Sequence, residues 1–303
     1  MIKGLFADKS LFQQLLLLFF LAFMGTLFFT AIGLAIAAGI YDISTEEAFS
    51  IISNLNSSAG RESFKIIQGF STIGTFLVPA ILGAHLLSHQ PERFMGLDRF
   101  PQPAYLFIIL LILAGYGLGA ASDVLYRISE SFPWPDDLIA SFESSQQIMT
   151  EQYQALLQMA NPVEFMQVFL LMAILPAVGE EALFRGTLQP LLQRYMSPHL
   201  AIWLTAFMFA LLHLQYLSFL SIFVLGAVLG YLRYWTNSIW LPTLLHLVNN
   251  GAIVIAVYFL DMDYAENLSG TESLSWIEST VLIAISAVCL LIMERISRKA
   301  RLD

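Results

Sequence analysis

Apolar stretches of about 20 residues recur along this chain, and shorter polar segments separate them. A helix of about 20 residues rises about 1.5 Å per residue and so crosses the roughly 30 Å hydrocarbon layer of a bilayer. The pattern predicts an all-α fold, a polytopic transmembrane helix bundle of about eight spans. These spans are expected at residues 13–40, 64–88, 104–121, 163–184, 199–215, 217–234, 239–260 and 277–293.

One long polar segment also has a helical pattern. Residues 137–160 follow the turn-forming stretch FPWPDD and place apolar side chains such as Leu138, Phe142 and Tyr153 at helical spacing. We expect an acidic amphipathic helix on the outer surface, ended by Asn161-Pro162. Two interpretations stay open: a helix that packs on the bundle, and a lid or partner-docking helix.

The composition agrees with a membrane protein. Hydrophobic residues make up 57% of the 303 residues, the mean hydropathy is +0.71, and only 12% are charged, against about 25% in soluble domains. The first apolar stretch exceeds the 7–15 residues of a signal-peptide core, so it predicts a retained helix. We therefore expect an integral membrane protein, located in the plasma or inner membrane if the source is bacterial.

The distribution of charge predicts that both termini are cytoplasmic. With the N-terminus inside, three of the 14 Lys and Arg residues lie outside, namely Arg61, Lys65 and Arg127, and the other eleven lie inside, as the positive-inside rule favours. Arg194 and Arg233 are among the inner cations. The net charge of −9 comes mostly from the outer loops, and such acidity argues against nucleic acid as a partner.

The stretch VGEEALFRG places two carboxylates and an arginine at the end of an apolar run. On an α-helix, Glu181 and Arg185 are four residues apart and can pair, whereas Glu180 points about 100° away. An unneutralised carboxylate in a membrane usually faces the bundle interior and has a function, so Glu180 is the candidate reactive group. The alternative is an ordinary ion pair on a cytoplasmic flank.

Two further spans carry polar groups on apolar helices. Phe209 and His213 are four residues apart in FMFALLHLQ, and His246 and Asn250 are four apart in PTLLHLVNNG. Each histidine alone is explained by an interhelical hydrogen bond. Three polar sets on three helices favour one shared site, because buried polar groups need polar partners.

These three motifs resemble those of the CPBP intramembrane proteases, the CAAX-processing and bacteriocin-processing family also called Abi. EEALFR matches the signature EExxxR, FALLH matches FxxxH, and HLVNN matches HxxxN, in the order of the family. The resemblance covers about residues 162–260 and implies a catalytic core there. Residues 1–161 then hold the first helices and the outer helix, and residues 261–303 hold an outer loop, the last span and a basic tail.

The resemblance implies hydrolysis of a peptide bond at the membrane, in a CAAX-type prenylated protein or a leader peptide. Glu180 would activate water with the help of His213, while His246 and Asn250 would hold the oxyanion. Glu181 and Arg185 would orient the helix. No cofactor is needed on this interpretation. The alternative is a zinc ion on Glu180, His213 and His246, since catalytic zinc takes three protein ligands.

Other classes of function stay open. The same polar residues suit a proton- or cation-coupled transporter, although no internal repeat is evident. An inactive relative serving as an immunity or secretion accessory factor is a third interpretation. The sequence names neither the substrate nor the oligomeric state.

Two features of the predicted spans stay open, namely the depth of His213 in the membrane and the role of a glycine pair. Along a helix starting at Pro198, His213 lies about 20 Å deep, whereas Glu180 and His246 lie about 10 Å deep. A tilted or broken helix, or a wrong boundary near 215–217, would reconcile these depths. Gly226 and Gly230 form a GxxxG pair, which permits either close helix packing or a cavity wall.

Overall fold

The protein is described by a computed structural model that covers residues 3–41, 44, 55, 57–262 and 274–299. Every regular element among these residues is a helix. In chain order they are α1 (Leu11–Tyr41), α2 (Ser58–Leu87), α3 (Pro91–Met95), α4 (Ala104–Ser131), α5 (Asp136–Leu156), α6 (Pro162–Leu192), α7 (Pro198–Leu212), α8 (Phe219–Thr236), α9 (Trp240–Leu260) and α10 (Trp276–Lys299).

The prediction of a polytopic membrane protein is confirmed. Seven helices in the described residues are long and apolar enough to cross a bilayer. The fifth predicted span, 199–215, corresponds to α7, an apolar helix of only 15 residues. Large apolar side chains of α1, including Phe12, Phe19 and Phe28, are more than half exposed, as expected for surfaces in contact with lipid.

Local sequence explains where α6 and α7 begin. The Asn161 side chain accepts hydrogen bonds from the backbone N–H groups of Val163 and Glu164, at 3.0 and 3.1 Å. The Ser197 hydroxyl accepts one from Leu200 N–H at 3.3 Å. In both helices a proline follows the cap, where its missing N–H group removes no helical hydrogen bond.

The chain packs as two compact units, each assembled from separate segments. The first comprises Met1–Pro91, Ile148–Leu183 and Asn250–Ala265. In it α1 packs along α2, where the hydroxyls of Thr26 and Thr75 lie 2.8 Å apart. A small apolar cluster of Leu157, Val168 and Val254 joins the end of the α5 segment to α6 and α9.

The second unit comprises Glu92–Gln147, Phe184–Asn249 and Glu266–Asp303. Its α4 packs against α10, and its α7 packs against α8. The main core of this unit consists of Phe107, Leu110, Leu111, Ala114, Leu229, Leu232, Leu241, Leu245, Cys289 and Met293. This core joins α4, α8, α9 and α10, and α9 carries His246.

The predicted outer helix is present as α5 and ends four residues before residue 160. In the second unit its Phe142 stacks on Tyr216 with ring centroids 4.9 Å apart, and Trp134 meets Phe142 edge-on at 5.4 Å. Tyr216 lies in the turn between α7 and α8. The first half of α5 therefore packs on the turn that follows His213.

Candidate active site

The EExxxR segment is enclosed on every side. All residues from Gly179 to Gln189 are buried, a run that covers three turns of α6. Glu180 is 9% exposed, and Glu181 and Arg185 are fully buried. A solvated cytoplasmic flank is therefore the wrong interpretation of this segment, because ordinary surface ion pairs stay in water.

Helix α6 contains two wide π-helical turns, at Leu170–Ile174 and Phe184–Leu188. Such turns are rare and occur frequently at functional sites. Arg185 lies inside the second one, immediately after the α-helical segment that carries Glu180 and Glu181. The widened turn changes the angular register between Glu181 and Arg185 from that of a regular α-helix, so their i,i+4 pairing stays a prediction.

Arg185 is held inside the second unit by backbone and aromatic groups. Its Nη2 atom donates a hydrogen bond of 2.9 Å to the carbonyl of Gly226 on α8. Its guanidinium carbon lies 4.5 Å from the ring centre of Phe209 and 5.8 Å from that of Phe184. A guanidinium over an aromatic face gains a cation–π attraction, which is strongest where water is excluded.

Phe209 is shared by three of the predicted site residues. Its ring centre lies 4.5 Å from the imidazole of His213 and 5.9 Å from that of His246, in addition to the Arg185 contact. Phe209 is 1% exposed and His246 is 3% exposed. The second unit thus brings Arg185, His213 and His246 around one ring, which gives the phenylalanine of the FxxxH motif a physical role.

The tautomer of His213 follows from its hydrogen bond. Its Nδ1 atom lies 2.7 Å from the backbone carbonyl of Phe209, and a carbonyl oxygen only accepts. Nδ1 therefore carries the proton, and in the neutral ring the Nε2 lone pair can accept one. This bond also fixes the ring orientation.

The predicted boundary of the fifth span is wrong. Helix α7 ends at Leu212, so His213 lies in the turn and is not an interior helical residue. Leu214 has a left-handed backbone with φ of 54°, which reverses the chain toward α8. The run of apolar residues through Leu214 and Leu217 concealed this end, because hydrophobicity does not report a backbone reversal.

The other three predicted residues lie in the first unit. Glu180 and Glu181 follow Gly179, whose close neighbours are Phe76 and Leu77 on α2. Asn250 is half-buried on α9, next to Gly251, which packs against the ring of Phe169. The segment of α6 with both carboxylates therefore packs along α2.

Two buried polar residues of the second unit were not singled out from the sequence as site residues. Gln189 is fully buried and donates from Nε2 to the carbonyl of Gly230 at 3.0 Å. Arg233 is 8% exposed and donates from Nε to the carbonyl of Arg185 at 3.2 Å. For Gln189, the sequence signal that could have found it is its spacing, four residues after Arg185.

The GxxxG pair of α8 serves helix packing. A Cβ atom on Gly226 would lie 3.3 Å from Ala206 and Phe209 of α7, and one on Gly230 would lie 2.9 Å from Ile202. Because both glycines lack a side chain, α7 approaches α8 closely and the glycine carbonyls accept from Arg185 and Gln189. The close-packing interpretation of this pair therefore describes the second unit.

A resident metal ion finds no ready ligand set in the part of the chain that the structure describes. No group of three His, Cys, Asp or Glu residues there is placed to hold one. Glu180 lies in the first unit and His213 and His246 lie in the second, and the zinc alternative on these three residues stays a prediction.

The fold and the buried polar residues define a class: a polytopic helical membrane protein with carboxylate, arginine and histidine side chains buried in its helices. Residues 162–252 match the family described as type II CAAX prenyl endopeptidase, Rce1-like. This segment includes all three motifs, and the predicted resemblance to the CPBP family is confirmed for it.

One curated protein is similar to part of the chain. The protein YpbD of Bacillus subtilis (strain 168) is 29% identical to this chain over 92 residues. The alignment covers 29% of this chain and 44% of YpbD, so the chain spans less than half of that relative. No solved structure matches the chain.

Proposed function

We propose that this protein is an intramembrane endopeptidase that hydrolyses a peptide bond of a membrane-associated substrate, by glutamate-driven attack of water. The observation that supports it most directly is the enclosure of the EExxxR segment, together with the clustering of Arg185, His213 and His246 around Phe209. Buried ionisable groups are expensive in a membrane and usually mark chemistry. The family match over residues 162–252 supports the same class of reaction.

The proposed reaction is a general-base hydrolysis. Glu180 takes a proton from water while the water oxygen bonds to the carbonyl carbon of the scissile peptide. His213, with its proton on Nδ1, assists through Nε2. The tetrahedral intermediate then collapses, the bond to nitrogen breaks, and the proton passes to the leaving amine. General acid–base groups contribute about 10²–10⁴-fold to such rates.

The proposed reaction also needs hydrogen-bond donors for the negative charge that develops on the substrate carbonyl oxygen. His246 and Asn250 stabilise the oxyanion, a contribution that is largest where water is excluded. Arg185 and Glu181 orient the carboxylate-bearing helix. The substrate is a peptide or lipidated protein that reaches the site from the bilayer, either a CAAX-type prenylated tail or a leader peptide.

The test compares wild-type protein with Glu180→Gln in lipid nanodiscs, using a fluorogenic farnesylated CAAX peptide and its unprenylated counterpart. The matched control is Glu164→Gln on the same helix, because Glu164 is half-buried at the start of α6, where its carboxylate accepts from the Ala160 N–H and the Asn161 side-chain amide. We expect Glu180→Gln to lose at least about 100-fold in turnover, with the control unchanged.

Repeating the assay with a chelator distinguishes metal-independent hydrolysis from the zinc-dependent alternative. Resistance to chelator is expected for glutamate-driven hydrolysis, whereas loss and recovery with Zn²⁺ would favour the zinc alternative on Glu180, His213 and His246. If wild-type protein cleaves neither peptide, a leader-peptide panel follows. Failure there would favour a transporter or a non-catalytic accessory factor.

A further inference from the structure

Arg233 is a buried cation near the end of helix α8. It lies within a predicted membrane span, is 8% exposed, and was expected from sequence to be an ordinary cytoplasmic charge. A buried arginine in a membrane helix costs several kcal/mol unless its donors are satisfied, so a specific role is expected. The positive-inside tendency alone does not explain burial.

The guanidinium of Arg233 bridges two backbone carbonyls from different parts of the second unit. Nε donates to the carbonyl of Arg185 at 3.2 Å, and Nη2 donates to the carbonyl of Phe94, in α3, at 3.1 Å. Donors on separate nitrogens of a rigid, planar group can hold two acceptors in a fixed geometry. A lysine ammonium is a single point charge on a flexible stem and cannot reproduce this fork.

One of these carbonyls lies in the wide turn of α6. In a π-helical turn the backbone hydrogen bonds join residues five apart instead of four, and an outside donor can hold the displaced carbonyls. Arg233 supplies such a donor to Arg185, whose own side chain donates back to Gly226 on α8. Two reciprocal bonds thus tie the wide turn to α8.

The second carbonyl belongs to a segment that is itself fixed. Gly96 has φ of 74°, and a Cβ atom there would lie 2.9 Å from the Arg233 guanidinium and 2.8 Å from the Asn237 carbonyl. Ile239 N–H donates to the Gly96 carbonyl at 3.1 Å. Arg233 is therefore packed between the Phe94–Gly96 stretch and the wide turn, with little freedom to move.

We propose that Arg233 is a positioning residue of the active site, which holds the π-helical turn at Phe184–Leu188 and so fixes the Arg185 side chain against Phe209. This role rests on the proposed endopeptidase function, but its structural part does not require activity. The motif EExxxR is thereby completed by a second arginine 48 residues further along the chain.

The test uses Arg233→Lys, which keeps the charge, and Arg233→Gln, which removes it. Arg194→Lys is the matched control, because the Arg194 guanidinium lies 4.4 Å over the ring of Phe94, the residue whose carbonyl Arg233 binds. Hydrogen exchange of peptides spanning residues 184–193 is measured in nanodiscs. We expect exchange at least about tenfold faster in both Arg233 variants and unchanged exchange in the control.

The second measurement is the kcat and KM for cleavage of the farnesylated peptide. Arg233→Lys should lower kcat about tenfold or more with KM within about twofold, because the turn is misplaced while substrate binding is kept. Wild-type exchange and wild-type kcat in Arg233→Lys would overturn the proposal and leave only a charge role. If wild-type protein is inactive on every substrate, the exchange result still decides the structural part.

A further variant, Gly96→Ala, tests the same packing in case the Arg233 variants fail to fold. Gly96→Ala leaves Arg233 intact but forces a methyl group against its guanidinium. We expect it to reproduce the faster exchange of residues 184–193. Unchanged exchange in Gly96→Ala, in protein that retains its wild-type thermal midpoint, would contradict the proposed packing.

Discussion

The guanidinium carbon of Arg185 lies 4.5 Å from the ring centre of Phe209, so the arginine of the first motif packs on the phenylalanine of the second. The same ring contacts the imidazoles of His213 and His246. An apolar side chain thus organises three polar ones. Its contribution is geometric, since the ring faces set where each polar group can lie.

Phe209→Leu should therefore damage both stability and turnover. Loss of one buried cation–π contact and two ring contacts is expected to cost about 1–3 kcal/mol in the free energy of unfolding. Thermal unfolding and peptide cleavage measure the two effects. The control is Phe207→Leu on the same helix, where the ring is 46% exposed. Equal effects of both substitutions would contradict the special role of Phe209.

His213→Asn should separate the structural bond of His213 from its chemistry. The asparagine amide nitrogen takes a place close to that of Nδ1 and can still donate to the Phe209 carbonyl, but nothing replaces Nε2. We expect a thermal midpoint near that of the wild type and a turnover lower by about 10²–10⁴-fold. His213→Leu, which loses both functions, should also lower the midpoint. Full activity of His213→Asn would exclude proton transfer through Nε2.

Substitution of three glycines by alanine should give a graded series of thermal midpoints. Gly230→Ala should be the worst, because its new methyl would lie 2.9 Å from Ile202 and 3.0 Å from Gln189. Gly226→Ala should be intermediate, since its contacts with Ala206 and Phe209 are at 3.3 Å.

Gly119→Ala is the control of this series. Nothing lies within 4 Å of its added Cβ atom, and alanine favours a helix by about 1 kcal/mol over glycine. Its midpoint should equal or exceed that of the wild type. A flat series would show that α7 and α8 do not approach as closely as described.

Periodicity and capping residues predicted the helices well because both signals are local. Asn161-Pro162 and Ser197-Pro198 mark where α6 and α7 begin, and their caps are present. The end of α7 was missed because leucines continue past His213, and a chain reversal at Leu214 depends on backbone angles that hydrophobicity does not record.

The candidate site was only partly predictable for a related reason. Motif spacing named Arg185, His213 and His246, but it assumed regular α-helical turns. The π-helical turn at Phe184–Leu188 leaves no periodic signal in so short a segment. Arg233 was counted among the cytoplasmic cations because composition alone cannot tell a solvated arginine from one that binds two carbonyls.

The shortness of α7 has a consequence for the lipid around it. Fifteen residues rise about 22 Å, which falls several ångströms short of a typical hydrocarbon layer. Hydrophobic mismatch of this kind is relieved by compressing nearby acyl chains or by admitting headgroups and water toward the short element. The proposed hydrolysis should therefore depend on the thickness of the host bilayer and be faster in thin membranes with short or unsaturated chains.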